Sequence, residues 1–239
     1  DLLCYPHSTA SAAVLYCRYP DWREMHLLLD VLRPGDHFVD VGANVGVYSL
    51  LASTIPGIEV WAFEPASVAA ERAEENIRRN GLEARCHLLK AAVGRSRQQG
   101  YLTVGLGTMN RITKSPGGEP TTHEGIEPVE IVSLDDVIPA SAQEAVAVLK
   151  IDVEGEEMAV LEGAVTLLAR SNAIVIVEPN EPGQLSAFFA KHGYEPCTYD
   201  PPTRQITLTA IPLPHQVNSI YVHDVEAVRR RLAEGGSRQ

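Results

Sequence analysis

The sequence predicts an α/β fold: a doubly wound, mostly parallel sheet with antiparallel strands at its C-terminal edge and a lid segment at its N-terminus. Three observations carry that prediction. Short β-branched runs alternate with helix-spaced stretches through residues 37–94 and again through 146–192. Glycine and proline pairs such as Pro34-Gly35 and Pro56-Gly57 separate them. Four runs also reach an acid at their ends. His37-Phe38-Val39 leads to Asp40, residues 58–63 to Glu64, 146–151 to Asp152 and 174–177 to Glu178. In an open parallel sheet, ligands bind outside the carboxyl ends of the strands, so acids gathered on that rim mark a candidate site.

Residues 1–36 form the expected lid, with a helix over 21–32 that Pro34-Gly35 ends. A strand to Asp40, a glycine turn and a helix over 45–53 follow. After the strand to Glu64, a helix starts near Ser67 and closes at Asn80-Gly81, a C-cap pair; a third strand covers 86–89. This order implies right-handed parallel crossovers. Residues 94–128, rich in Gly, Thr, Pro and Ser, break the rhythm and read as an insertion beside the site, with short strands at 101–104 and 129–134. The alternation then resumes with a strand to Asp152. One helix carries Met158, Leu161, Val165 and Leu168, a strand reaches Glu178, and a helix covers 182–192. Runs at 194–199, 204–209 and 219–222 read as antiparallel strands. A single domain is expected over 37–225, followed by a helix end and tail at 226–239 that carries Arg229-Arg230-Arg231.

Composition narrows the function classes. A chain of 239 residues that is 45% apolar can bury a full core. Its net charge of −11 disfavours nucleic acid, whose binding needs a basic face, and equally an anionic membrane surface. No apolar run approaches the ~18 residues that span a bilayer, and no basic-then-apolar leader opens the sequence. Asp1 is not a start methionine, so a preceding segment is compatible with this pattern. Cys4, Cys17, Cys86 and Cys197 form no CxxC pair and read as thiols of a reducing, cytoplasmic compartment.

The turn Asp40-Val41-Gly42-Ala43-Asn44-Val45-Gly46 points to a nucleoside cofactor. Gly42 permits the sharp turn, and Gly46 lets the helix start pack closely. A dinucleotide fingerprint would read G-x-G-x-x-G; here Asn44 holds the second glycine position and the third glycine is absent. Asp40 would repel a pyrophosphate, but it suits a ligand with cationic groups, such as the sulfonium and ammonium of S-adenosylmethionine. Glu64, at the end of the next strand, stands where an acid accepts hydrogen bonds from ribose hydroxyls. An NAD-dependent oxidoreductase and a non-catalytic nucleoside-cofactor-binding protein would share this frame.

A longer string is more specific: residues 38–49, Phe63-Glu64-Pro65, Asn76, Asn80, Ala91-Ala92-Val93-Gly94, Ser133-Leu134-Asp135-Asp136, and 149–157 with Asp152-Val153-Glu154-Gly155. In this order these motifs closely resemble the FkbM family of S-adenosylmethionine-dependent O-methyltransferases, a branch of the Rossmann-like class I methyltransferases, over roughly residues 36–180. Ser67 and Ala73 depart from it, standing where proline and leucine are frequent. The resemblance implies that Asp40, Gly42, Asn44 and Gly46 line the methionine half of the cofactor. Glu64 would hold the ribose, and Ala91 and Ala92, after Lys90, would sit near adenine. It implies a small-molecule acceptor hydroxyl, on a natural product or sugar. Asp152, where methyltransferases of exocyclic base amines carry Asn-Pro-Pro-Tyr, would stand between cofactor and acceptor. It is the first candidate for the base, with Glu178 beside it. A divalent cation that lowers the hydroxyl pKa is compatible with this arrangement: Asp152 and Glu178 offer two hard oxygen ligands, too few by themselves to define a metal site. His7, His123 and His215 are the remaining acid–base candidates, each more often a surface residue.

Overall fold

Two helices, α1 (Thr9–Cys17) and α2 (Trp22–Val31), precede the strand β1 (His37–Val41), on which the sheet turns. From β1 the chain crosses through α3 (Val47–Ala52) to β2 (Glu59–Phe63), then through α4 (Ser67–Arg79) to β3 (Cys86–Leu89). A smaller set follows: β4 (Ala92–Val93), β5 (Gln98–Val104), β6 (Ile112–Thr113) and β7 (Gly125–Val132), with the short helices α5 (Leu134–Val137) and α6 (Ala140–Gln143) after them. The main sheet resumes on the other side of β1 with β8 (Val146–Ile151), α7 (Glu157–Glu162), α8 (Val165–Ser171), β9 (Ile174–Val177) and α9 (Pro182–Lys191). It closes with β10 (Glu195–Asp200), β11 (Gln205–Leu208), β12 (Ser219–Val222) and α10 (Val225–Glu234). This computed structural model describes residues 1–5, 9–104, 111–113, 125–178, 182–211 and 217–234.

The eight-stranded sheet has the order β11-β10-β12-β9-β8-β1-β2-β3. β1 pairs in parallel with both β2 and β8, so the strand order reverses there and leaves a crevice at the carboxyl ends of β1 and β8. The predicted doubly wound, mostly parallel fold is what the chain forms. At the C-terminal edge β12 runs against β9 and β10 runs against β12, which returns β10 to the direction of the core strands. Side chains alternate across the sheet. Val39, Val41, Leu149 and Ile151 enter one apolar layer, and Phe38 and Val148 enter the other. By the same alternation Asp40 and Lys150, which stand opposite each other in the β1–β8 register, project toward the Phe38 layer.

Two expectations need correction. The insertion at 94–128 is in part a second sheet of order β4-β7-β5-β6, with β5 and β7 paired antiparallel over seven residues. Residues 105–110 and 114–124 of that stretch lie outside the described residues. The helix expected around Met158 to Leu168 is two helices, broken at Gly163, where a Cβ would stand 2.1 Å from the Gly94 carbonyl oxygen. The second of them, α8, starts on a borrowed cap: the Asp135 carboxylate accepts from the N–H groups of Thr166 (2.9 Å) and Leu167 (2.8 Å). The C-terminal arginines Arg229, Arg230 and Arg231 lie within α10. Arg231 pairs with Asp36 at 2.7 Å, docking α10 beside the start of β1; residues 235–239 are outside the described set.

Candidate active site

The carboxyl ends of β1, β2, β8 and β9 open on one cavity of about 450 Å³, within the range of small-molecule sites. Asp40, Gly42, Asn44, Glu64, Ala91, Ala92, Asp152 and Glu178 all line it. Gly46 does not reach the cavity wall: it caps the start of α3 at φ +87°, facing Ala73 of α4. The N-terminal segment contributes Val14, Pro20, Asp21 and Met25, and the second sheet contributes Leu102 and Ile112.

At the β1–β2 end the acids are buried and tied to the backbone. Gly42 and Ala43 both donate to the Phe63 carbonyl at 3.0 Å, joining the turn to β2. Gly42 sits at φ +81°, and a Cβ there would stand 1.8 Å from the Asp152 carbonyl oxygen. The close approach that this glycine permits is therefore to the chain's own backbone. Asn44 also adopts a left-handed φ of 51°, which asparagine tolerates, and its N–H donates to Glu64 Oε2 at 2.8 Å. The Ala66 N–H donates to Glu64 Oε1 at 2.9 Å. Each oxygen of Glu64 thus keeps a lone pair for a further donor. Burial pushes Glu64 up to about 7, and the two backbone donors oppose this only in part. Asp40 is 1% exposed; Ser49 donates to its Oδ2 at 2.6 Å, and its Oδ1 has no partner. Burial holds Asp40 above the usual carboxylate range despite the neighbouring Lys150.

At the β8–β9 end the arrangement is looser and charged. Lys150 is 2% exposed, and its Nζ donates to Asp152 Oδ2 at 2.7 Å. The same ammonium lies 4.6 Å from the ring centroid of Tyr48, whose hydroxyl donates to Asp21 Oδ2 at 2.8 Å. Burial favours loss of the Lys150 proton, but Asp152 and Asp40 outweigh it and hold the amine above its ordinary value. Burial likewise would raise Asp152; the Lys150 ammonium overrides it and holds this carboxyl below its ordinary value. The Asp152 side chain keeps 45% of its surface open at the cavity. Asp152 and Glu178 are neighbours on the rim: the Glu178 N–H donates to the Ile151 carbonyl at 3.1 Å, and both acids line the cavity. Burial first, and then the neighbouring Asp152 carboxylate, push Glu178 up to about 7. Two strand-end acids thus separate into one that stays ionised and one that titrates near neutrality.

A glycine turn, a buried strand-end acid and a pair of carboxyls thus stand on one rim. Residues 40–196 match the methyltransferase FkbM domain. The chain belongs to that family. It is 35% identical over 158 residues to 31-O-demethyl-FK506 methyltransferase FkbM of Streptomyces tacrolimicus, covering 55% of this chain and 60% of that one. It is 28% identical over 156 residues to hexuronic acid methyltransferase AglP of Haloferax volcanii, covering 64% and 59%. The match therefore spans less than two thirds of either relative. The crystal structure of methyltransferase FkbM from Methylobacillus flagellatus KT superposes with a TM-score of 0.52 at 16% identity, over 89% of this chain and 53% of that one. At that identity the likeness is one of fold.

Within this FkbM domain, the residues fit the cofactor that the family implies. Asp40 Oδ1 is a buried acceptor on the cavity wall without a partner, suited to a cationic group, and Glu64 has two free lone pairs suited to a pair of ribose hydroxyls. Ala91 and Ala92 are buried at the adjoining wall, while Lys90 turns outward to Glu74. Among the described residues, no group of three or more His, Cys, Asp or Glu side chains is placed to hold a metal ion. His7, His123 and His215 lie outside the described residues. The motif string contains Tyr48 and Lys150 without implying a role for either, and it does not reach Asp21. A lysine inside the strand Val146–Ile151, where all neighbours are apolar, is the signal that could have found Lys150.

Proposed function

We propose that this FkbM domain is an S-adenosylmethionine-dependent O-methyltransferase acting on a hydroxyl of a small molecule, a natural product or a sugar. The observation that carries this reading is the neighbouring Asp152 and Glu178 carboxyls at the end of a cavity whose other end holds Asp40 and Glu64. Bound S-adenosylmethionine would supply a methyl group already activated on a sulfonium. The chain's task is then alignment and removal of one proton. Asp40 would receive the cationic methionine end, Glu64 the ribose, and Ala91 and Ala92 would flank the base. Asp152 would orient the acceptor hydroxyl. Glu178, in its ionised form, would take the proton as the oxygen–carbon bond forms and the carbon–sulfur bond breaks, its electron pair staying on sulfur.

The names of the two relatives, one a methyltransferase of 31-O-demethyl-FK506 and one of hexuronic acid, support an oxygen acceptor on a natural product or sugar. The net charge of −11 supports a small molecule over nucleic acid. No helix among the described residues is long and apolar enough to cross a membrane, and all four cysteines are free thiols, which supports a reducing, cytoplasmic setting. The test is incubation with deuteromethyl-labelled S-adenosylmethionine and a panel of hydroxylated natural products and sugars, read by mass spectrometry. Label on an acceptor oxygen is the expected result. Cofactor binding with no label transferred to any acceptor would favour the non-catalytic reading instead.

A further inference from the structure

The group on this rim that the mechanism does not use is the buried ammonium of Lys150. It enters from β8 at the position opposite Asp40, in a strand where every other side chain is apolar. Burying an ammonium is costly unless it is paired, so the pairing is where its role is to be found. One hydrogen bond goes to Asp152 Oδ2 at 2.7 Å. Tyr48 presents its ring face from α3, Asp40 stands opposite on β1, and Asp21 faces the group from the segment ahead of α2. Asp152 in turn stands beside Glu178, whose N–H donates to the Ile151 carbonyl at 3.1 Å from the end of β9, and Glu154 faces Glu178 from the loop after β8. The chain Lys150–Asp152–Glu178 therefore runs from the buried layer to the cavity, with the fixed positive charge at its inner end.

We propose that Lys150 is a positioning residue that pins Asp152 in its ionised form and orientation, and thereby makes Glu178 the member of the pair that exchanges a proton with the acceptor. This deepens the methyltransfer reading above and rests on its assignment of the pair to the acceptor side. The physical reason is asymmetry. Two carboxyls sharing one proton are otherwise equivalent, and a cation touching only one of them decides which gives the proton up. The buried setting makes the decision strong, because Lys150 has little solvent to screen it. Asp152 then acts as a fixed acceptor for the substrate hydroxyl, and Glu178 cycles between acid and base.

The test is a carboxyl-carbon NMR titration of protein labelled at Asp and Glu side chains, with Asp152→Asn and Glu178→Gln used to assign the two signals. In the unaltered protein, Glu178 is expected to titrate at the upper step and Asp152 at the lower. In Lys150→Met the upper step of the pair should move up by about one pH unit or more, and Asp152 should share the proton. Lys150→Arg should restore the original order. An unaltered protein in which Asp152 titrates at the upper step overturns the proposal, even if Lys150→Met does not fold. So does a folded Lys150→Met protein whose two steps stay where they were. These titrations need neither acceptor nor cofactor, so their failure is separable from a failure to transfer methyl groups.

Discussion

Asp40 and Glu64 on one side of the crevice, and Asp152 and Glu178 on the other, look alike in sequence: acids at the ends of apolar strands. Their surroundings make them different instruments. The first pair is buried and held by Ser49 and by the N–H groups of Asn44 and Ala66, so its geometry is set largely by backbone. The second pair stands side by side at the ends of β8 and β9, open to the cavity at Asp152, and biased by a single lysine. Backbone donors fix a carboxylate in place, which suits binding a cofactor of constant shape. A carboxyl pair with one proton can change state, which suits chemistry. The contrast teaches that position on the rim marks a site, whereas the donors around each acid assign its task.

The two halves meet at Gly42, so the largest disturbance comes from there. Gly42→Ala forces a side chain into a left-handed backbone and onto the Asp152 carbonyl. We expect a loss of about 3 kcal/mol or more in denaturant unfolding, with cofactor binding and turnover impaired together. A loss near ~1 kcal/mol, the ordinary cost of a glycine replaced in a strained turn, would mean that the turn relaxes freely and that the halves are not packed edge to edge. Next in size is Glu178→Gln, which separates them. Turnover should fall roughly 10²- to 10⁴-fold, while affinity for S-adenosylhomocysteine, measured by calorimetry, stays within about threefold. The unaltered enzyme should show a rise in turnover as pH climbs through about 7, and the same variant should flatten it. Equal losses of affinity and turnover would erase the distinction between a binding half and a reacting half.

Much of this division is legible in the amino-acid order alone, and the rest is hidden for physical reasons. Asp40, Glu64, Asp152 and Glu178 are readable because a β-branched run ending in an acid is a local pattern. The role of Lys150 is not, because it depends on the register between β1 and β8, which brings Asp40 and Lys150 opposite each other from distant parts of the chain. The break between α7 and α8 escapes the periodicity of Met158, Leu161, Val165 and Leu168 because its cause lies elsewhere. Gly94 approaches Gly163, and Asp135 supplies the new cap. In the insertion, only the run at 101–104 and the one near 129 suggest strands. Their pairing as β5 and β7 is a long-range contact that composition obscures. Gly46 is legible for its local role, since the structure has it at the start of α3 with a left-handed φ, facing Ala73.

A smaller effect tests the binding half alone. Glu64→Ala removes two acceptors from the turn and the two lone pairs offered to the cofactor, so S-adenosylhomocysteine should bind roughly 10- to 100-fold more weakly, with turnover at saturating cofactor falling less than affinity. If turnover falls more, Glu64 belongs to the reacting half and the contrast is drawn in the wrong place.

The smallest predicted effect follows from the height to which burial pushes Glu64, about 7 from an ordinary 4.5. Its folded value is raised, so its contribution to stability is fully present below the unfolded value and is lost as pH rises from about 4.5 through about 7. A cofactor whose hydroxyls donate to this group selects the ionised form and must expel the proton when it binds below neutrality. Affinity should therefore climb about tenfold between roughly pH 6 and pH 8 and level off above that. Calorimetry in buffers of different ionisation enthalpy should register proton release near pH 6 that fades by about pH 8. The dependence should vanish in Glu64→Gln, whose side chain cannot titrate. If it persists there unchanged, the proton belongs to Asp40, and the cationic end of the cofactor governs binding instead of the ribose.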